Sequence, residues 1–460
     1  MKLSTLKILC CPFCAGDLRP THVREDGGEI ASGILACACG EYPLLGGIPI
    51  FLREKRVDMM MQTVDEPLIG GPRTERLLEL IRAGDPERAL LLLLAVPPPW
   101  VRRGLEIAEL LRGRSARAAR RRLEEGWVRA ARPSAALLLD RDPSSTAADV
   151  FDYYFRRARS SELYHHFRHR FTQPRHLTSL ALASLLPRDE RPVLDVACGF
   201  GHTLHYWTAR HPGRLFVGLD RNFFELYVAS RWIAPAADYV CAAADGALPV
   251  RAGAFGGAFC ADAFHYFLRK RYCVAELARA TEPRGTIVLA RFGNRAVEPR
   301  EGYELSPAGY GRLFGNARWA IVPDRAILAR YLEWLAPDLS GPPVAPEAEG
   351  EKWLSLVSSG DASVFRDHAR LSAWPHAAGV RRVHSLYRQV GGGDGDAAVY
   401  ALEMPSKWFA FENGECREYM PERFTLGAAA RAALERGEDH PEIDELVRRA
   451  AVVGLPERHG

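Results

Sequence analysis

The run Val193-Leu194-Asp195-Val196-Ala197-Cys198-Gly199-Phe200-Gly201 narrows the folds open to this chain more than any other segment. A mostly apolar stretch suited to a buried strand ends in two glycines, and a helical pattern follows at 202–209. Glycine is needed where a ligand approaches the backbone at a place a side chain would otherwise fill. The N–H groups opening the next helix, at its positive dipole end, suit a carboxylate.

From position 192 onward, short β-type runs alternate with helices, and 193–197, 215–219, 239–242, 256–261 and 286–290 are the expected strands. That alternation predicts an α/β fold with a mainly parallel, doubly wound sheet. Two further β-runs, 380–390 and 397–404, flank Gly391-Gly392-Gly393-Asp394-Gly395 and are expected to close the sheet as a hairpin. The second strand ends at Asp220, about 20 residues past the glycine turn, where a carboxylate can accept hydrogen bonds from ribose hydroxyls. A nicotinamide enzyme would share this much. Leu204 in place of the third glycine, and Asp195 ahead of the turn, point elsewhere.

With these motifs in order, the segment resembles the class I S-adenosylmethionine methyltransferases, whose first motif is D-x-x-x-G-x-G and whose second ends in an acid. The resemblance covers roughly 192–294. It implies a Rossmann-like seven-stranded sheet and S-adenosylmethionine as cofactor, held by Asp195, Ala197, Cys198, Gly199, Gly201, Asp220, Arg221, Asp245, Gly246 and Ala261. In that family an acid after the third strand holds the adenine amino group, and Asp245 stands there. Strand four then delivers Asp262, Phe264 and His265 to the place where the family lines the space between cofactor and acceptor.

Methyl transfer needs the acceptor lone pair in line with the methyl carbon, so positioning and exclusion of water supply much of the rate. A base is required only when the acceptor must lose a proton. His265 is the first candidate for that base, and packing of a helix-start histidine against the sheet is the competing reading. Asp262 orients the acceptor or His265, or else caps the next helix. The aromatic helices at 148–186, with Tyr153, Tyr154, Tyr164, His165 and His166, form a lid over the cofactor or simply pack.

Strand four lacks the Asn/Asp-Pro-Pro-Tyr/Phe sequence of family members that methylate base or glutamine amines. The insertion at 294–375 carries Tyr303, Tyr310, Trp319, Tyr331, Trp334 and Trp353, and such aromatic cover favours a small organic acceptor over an open nucleic-acid groove. A net charge of +4 over 460 residues adds no argument for nucleic acid. The basic stretch 115–132 would, if it joined a continuous positive surface; a solvated helix face is the alternative.

Five of the ten cysteines fall within the first 39 residues. Cys11 and Cys14 have knuckle spacing, Cys37 and Cys39 form a tighter pair, and four thiolates suit tetrahedral Zn2+, with Cys10 an alternative ligand. The run Cys39-Gly40-Glu41-Tyr42-Pro43-Leu44-Leu45-Gly46-Gly47-Ile48-Pro49-Ile50-Phe51-Leu52 resembles the zinc-ribbon activator of tRNA, rRNA and translation-factor methyltransferases. That resemblance implies a structural ribbon that contacts its own catalytic domain or a partner protein.

The expected organisation is a zinc ribbon at 1–55, a helical linker region at 72–140, the methyltransferase domain at 145–410 and a helical tail at 411–460. The longest apolar run, 89–96, is far short of a membrane span, and the scattered remaining cysteines suit the reducing cytoplasm. A small-molecule methyltransferase is the leading expectation. An RNA methyltransferase and a non-catalytic scaffold are the alternatives.

Overall fold

The computed structural model describes residues 1–52, 71–110, 113–158, 161–186, 189–298, 303–392 and 397–460. The expected ribbon boundary at 55 and the hairpin turn at Gly393-Asp394-Gly395 lie outside these.

Strands β1 (Arg19–Asp26), β2 (Glu29–Cys37), β3 (Gly40–Leu45) and β4 (Ile48–Pro49) form an antiparallel sheet in sequence order. Its outer strand β1 is exposed throughout, so this small unit buries too little by itself.

The central sheet has seven strands: β5 (Val193–Val196), β6 (Phe216–Asp220), β7 (Asp238–Cys241), β8 (Phe255–Ala261), β9 (Thr281–Gly293), β10 (Trp319–Pro323) and β11 (Trp353–Ser359). They lie in the order β10-β11-β9-β8-β5-β6-β7, with β5 to β9 mutually parallel and β11 reversed, antiparallel to both its neighbours β9 and β10. Residues of β5, β6 and β8 are buried on both faces, as expected where helices cover both sides.

The strands that complete the sheet therefore come from inside 294–375, and the run expected to close it does not. Strand β12 (Val380–Val383) pairs with β16 (Val452–Leu455), while β13 (Tyr387–Gly391), β14 (Ala398–Leu402) and β15 (Arg423–Leu426) make a separate sheet. Alternation of residue types signals a strand but carries no information about its partner. The stretch 411–460, expected as a helical tail, contributes β15 and β16 as well as the helices Ala428–Arg436 and Pro441–Arg448.

The amino-terminal unit docks on the sheet edge. Ile50 bridges Cys241 of β7 in parallel, and the Phe51 N–H donates to the Cys241 carbonyl at 2.8 Å. Leu9 bridges Val250, and Thr5 hydrogen-bonds the Asp238 carboxylate. Leu9, Cys11, Tyr42, Leu44 and Phe51 share one buried cluster with Leu194, Val240, Leu248 and Val250. The exposed edge that a parallel sheet would leave at β7 is thus covered.

Helices Pro72–Arg82, Pro86–Leu94, Pro99–Leu110 and Gly113–Ala131 bury Leu77, Ala89, Leu92, Val101 and Trp127. Trp127 donates its indole N–H to the Ala95 carbonyl at 3.1 Å, beneath the Arg73 guanidinium. Part of the basic face is neutralised: Arg76 pairs with Glu124 at 2.9 Å and Arg121 with Glu79 at 3.6 Å.

Candidate active site and cysteine cluster

Strand β5 ends at a backbone that turns left-handed at Ala197 (φ 57°), Gly199 (φ 53°) and Gly201 (φ 74°). A side chain at Gly201 would also press on the Ala229 methyl at 3.1 Å and the Tyr239 hydroxyl at 3.2 Å, so only glycine fits there. Asp220, at the end of β6, accepts hydrogen bonds from the Gly199 N–H at 3.0 Å and from the Asn222 N–H at 2.9 Å. One carboxylate thus ties the glycine turn to the start of the helix Phe223–Val228, which Asn222 caps through the N–H groups of Phe224 and Glu225.

Cys198 and Arg221 flank this junction, each partly exposed. Asp195 lies one turn deeper, buried in the middle of the sheet opposite Gly218 and Phe259. Burial, with the Asp220 charge adding, pushes its carboxyl well above the usual carboxylate range. Asp245 and Gly246 follow β7, and Ala261 ends β8 on the same edge.

Glu225 was not legible as a site residue. Its carboxylate lies 3.2 Å from where a Gly199 side chain would begin, and Asn222 donates to it at 3.0 Å. The one signal in the sequence is its spacing of three from Asn222 on a helix.

The helices Ala147–Ala158 and Ser161–Arg168 close over the turn. Phe151 and Phe167 lie edge-on to Phe200 at ring distances of 4.9 and 4.6 Å. Tyr154 stacks on Phe224 at 3.9 Å, and the Tyr153 hydroxyl accepts from the Val96 N–H. Both tyrosines are engaged in packing.

Asp262 follows β8 with a left-handed φ of 55°, uncommon for any residue but glycine, asparagine or aspartate. Its carboxylate is gripped by Arg170 at 3.1 Å, Arg175 at 3.3 Å and Arg291 at 3.7 Å. Asp324 pairs with Arg291 at 3.4 Å and Glu412 with Arg175 at 3.2 Å. Burial alone would raise the Asp262 carboxyl, but the three guanidiniums outweigh it and hold the group far below the usual carboxylate range.

Among the described residues Asp262 hydrogen-bonds to Arg170 and Arg175 and not to His265, and the turn Phe264–Tyr266 has no side-chain cap. Neither expected contact of Asp262, to the histidine or to the helix start, is present, because the arginines come from elements far away in sequence. His265 is buried with its Nδ1 unpartnered, 5.5 Å ring to ring from Trp353. Burial lowers its pKa to about 4, so the imidazole is neutral at physiological pH.

A cavity of about 420 Å³ opens beside this cluster, lined by Arg291, Asp324, Lys352, Trp353, Phe411 and Glu412 among others. Trp353 lies under the Arg291 guanidinium at 4.5 Å, and Phe411 stands 79 % exposed at the wall. Of the six aromatics in the insertion, Trp353 alone lines it; Tyr310 bonds the Gly293 carbonyl, Tyr331 contacts His376, and Trp334 packs on Trp374.

In the amino-terminal unit the Sγ atoms of Cys11, Cys14, Cys37 and Cys39 all lie within 4.8 Å of one another. Neighbouring sulfurs stand 3.3 to 3.7 Å apart. That is too long for disulfides and close to the edge of about 3.8 Å that a tetrahedron of thiolates at about 2.3 Å from zinc would have. The N–H groups of Phe13 and Cys39 donate to the sulfurs of Cys11 and Cys37, an arrangement that favours thiolates. Cys10 is outside the cluster: its N–H bonds the Pro249 carbonyl and its side chain is buried.

No described helix is long and apolar enough to cross a membrane. Residues 194–289 match the family described as Methyltransferase domain. No curated protein matches the chain. Among solved structures it is similar to an S-adenosylmethionine-dependent methyltransferase from Aquifex aeolicus, with 14% identity over 39% of this chain and 86% of that one and a TM-score of 0.28. It is also similar to a complex of the Haloferax volcanii Trm112 methyltransferase activator with a methyltransferase, with 17% identity over 46% and 97% of the two chains and a TM-score of 0.31. A third likeness is to phosphoethanolamine N-methyltransferase 2 from Haemonchus contortus, with 13% identity over 37% and 48% and a TM-score of 0.26. TM-scores this low carry no argument about activity. The order of the strands, the glycine turn and the family match make residues 194–289 a class I methyltransferase domain, and the chain an S-adenosylmethionine-dependent methyltransferase.

Proposed function

We propose that this enzyme methylates a small organic acceptor seated between His265 and the cavity at Arg291 and Trp353. The observation that carries the reading is that cavity: a walled space of about 420 Å³ beside the ends of the parallel strands, with one aromatic face and charged groups of both signs. Bound at the glycine turn, the sulfonium cofactor would supply an electrophilic methyl group. Asp220 would accept from the ribose hydroxyls, Asp245 would hold the adenine amine, and the glycine turn of Ala197, Cys198, Gly199 and Gly201 would accommodate the methionine end, with Asp195, Arg221, Gly246 and Ala261 shaping the pocket.

His265, whose buried Nδ1 has no hydrogen-bond partner, would take the acceptor proton where one must leave. Asp262 acts as a positioning residue that holds the arginine wall. The partial pairing of Arg76 and Arg121 with acids, and the commitment of Trp127 to packing, count against the RNA alternative.

Titration calorimetry with S-adenosylmethionine and S-adenosylhomocysteine tests the reading. Wild-type protein is expected to bind both, and Asp220→Ala to lose about 100-fold or more in affinity, because the half-buried carboxylate both pairs two hydroxyls and ties the glycine turn, and water replaces neither role without loss. Asp245→Ala, which leaves the glycine turn tied, should weaken binding by about tenfold. Folded wild-type protein that binds neither ligand would return the chain to the scaffold alternative.

The four-cysteine cluster is proposed as a structural Zn2+ site that fixes the amino-terminal unit on β7. Metal analysis should find about one zinc per chain. Cys37→Ser is expected to lose it and to lower the melting temperature, since the unit has little core of its own. Stoichiometric zinc retained in that variant would exclude this ligand set.

A further inference from the structure

A second cavity, of about 310 Å³, opens at the opposite end of the central sheet, where β5 and β6 begin. Its wall gathers Arg210, Arg214, Arg366, Arg370, His211 and His368, and no carboxylate lines it among the described residues. Over the whole chain 61 basic residues face 57 acidic ones, so four guanidiniums meeting with one acid beside them, Asp189 at 3.6 Å from Arg214, are a local concentration of charge. Like charges held together raise the energy of the fold unless an anion joins them.

The groups arrive from separate elements. Arg210 ends the helix His202–Arg210, Arg214 precedes β6, and Arg366 and Arg370 come from the exposed loop after β11. Arg214 is held in place: its Nε donates to the Arg191 carbonyl at 2.7 Å and its guanidinium lies over the Phe216 ring at 5.5 Å. Arg366 and Arg370 are exposed at the rim. Behind the arginines, Trp207 and Phe216 stack at 5.7 Å as an apolar floor.

We infer that this cavity binds a small phosphate ester, at a site separate from the methyl-transfer centre. Guanidinium forks match phosphate oxygens two by two, and several converging on one space suit a dianion. The apolar floor suits a ring or short chain attached to the phosphate. Strands of this length place the cavity roughly 15 Å from the glycine turn, so its ligand is not the cofactor. The space is bounded by the helix on one side and by the loop on the other, and it takes one or two phosphates rather than a running nucleic-acid backbone.

The full-length protein is titrated with inorganic pyrophosphate and with ADP at low salt, alongside the double variant Arg210→Glu/Arg370→Glu. Both changes are at exposed side chains, and the melting temperature serves as the control for folding. Wild-type protein is expected to bind at least one probe with a Kd below about 1 mM, weakened about tenfold or more in the variant. Absence of binding to either probe by folded wild-type protein overturns the inference, as does a well-folded variant that binds like wild type. A short RNA that binds tightly and is not displaced by pyrophosphate also overturns it, in favour of a nucleic-acid surface.

Discussion

Lowering the pH from about 7.5 to about 5 is expected to reduce the melting temperature of this protein by about 10 °C or more. The reason is a set of histidines buried in a neutral form: His169, His176, His202, His205, His265, His376, His384 and His459. His176, His202, His205 and His459 ring Phe171 at 5.1 to 5.5 Å. His376 donates from Nε2 to the Val447 carbonyl at 2.7 Å, so its Nδ1 accepts from the Tyr331 hydroxyl, a tautomer that protonation destroys.

Burial lowers the pKa of His169 to about 3 and those of His205, His265 and His376 to about 4. For His176, His202, His384 and His459 burial also pushes the value well below the ordinary one. In the unfolded chain each titrates near 6.5. Below that pH the unfolded state binds more protons than the folded state, so the stability present above 6.5 is lost as pH falls toward 4. A histidine with a folded pKa of about 4 contributes a loss of about 2 kcal/mol at pH 5, against a total stability of about 5–15 kcal/mol.

Asp195 works in the opposite direction, because its raised carboxyl favours the folded state as the solution becomes more acid. One such group does not offset several histidines. Calorimetry or tryptophan fluorescence across this range checks the point, and a melting temperature unchanged between pH 7.5 and 5 would refute it.

Asp262→Asn should destabilise the fold by about 3–5 kcal/mol, the cost of leaving buried cations without their counter-charge. Asparagine keeps the size of the side chain and tolerates the left-handed backbone at this position, so the change isolates the charge. Arg170, Arg175 and Arg291 would then share Asp324 and Glu412, which already pair with Arg291 and Arg175. Urea unfolding measures the effect. A loss below about 1 kcal/mol would mean that these two acids suffice, and the role of Asp262 in holding the cluster would fall.

The sequence by itself determined the central strands, the left-handed glycine turn, the acids at the ends of the second and third strands, and the four sulfurs of the amino-terminal cluster. These features are local: a turn needs glycine where no side chain fits, a strand declares itself by its residue types, and thiolates close in sequence meet in a small ribbon. Only the tertiary structure decided that β10 and β11 complete the sheet in place of the 380–404 run, that the ribbon covers the edge of β7, and that Asp262 belongs to three arginines rather than to His265. Arg170, Arg175 and Arg291 reach Asp262 from sequence separations of 92, 87 and 29 residues. Pairing between strands and between buried charges depends on which surfaces the packed core brings face to face, and no periodicity along the chain encodes that.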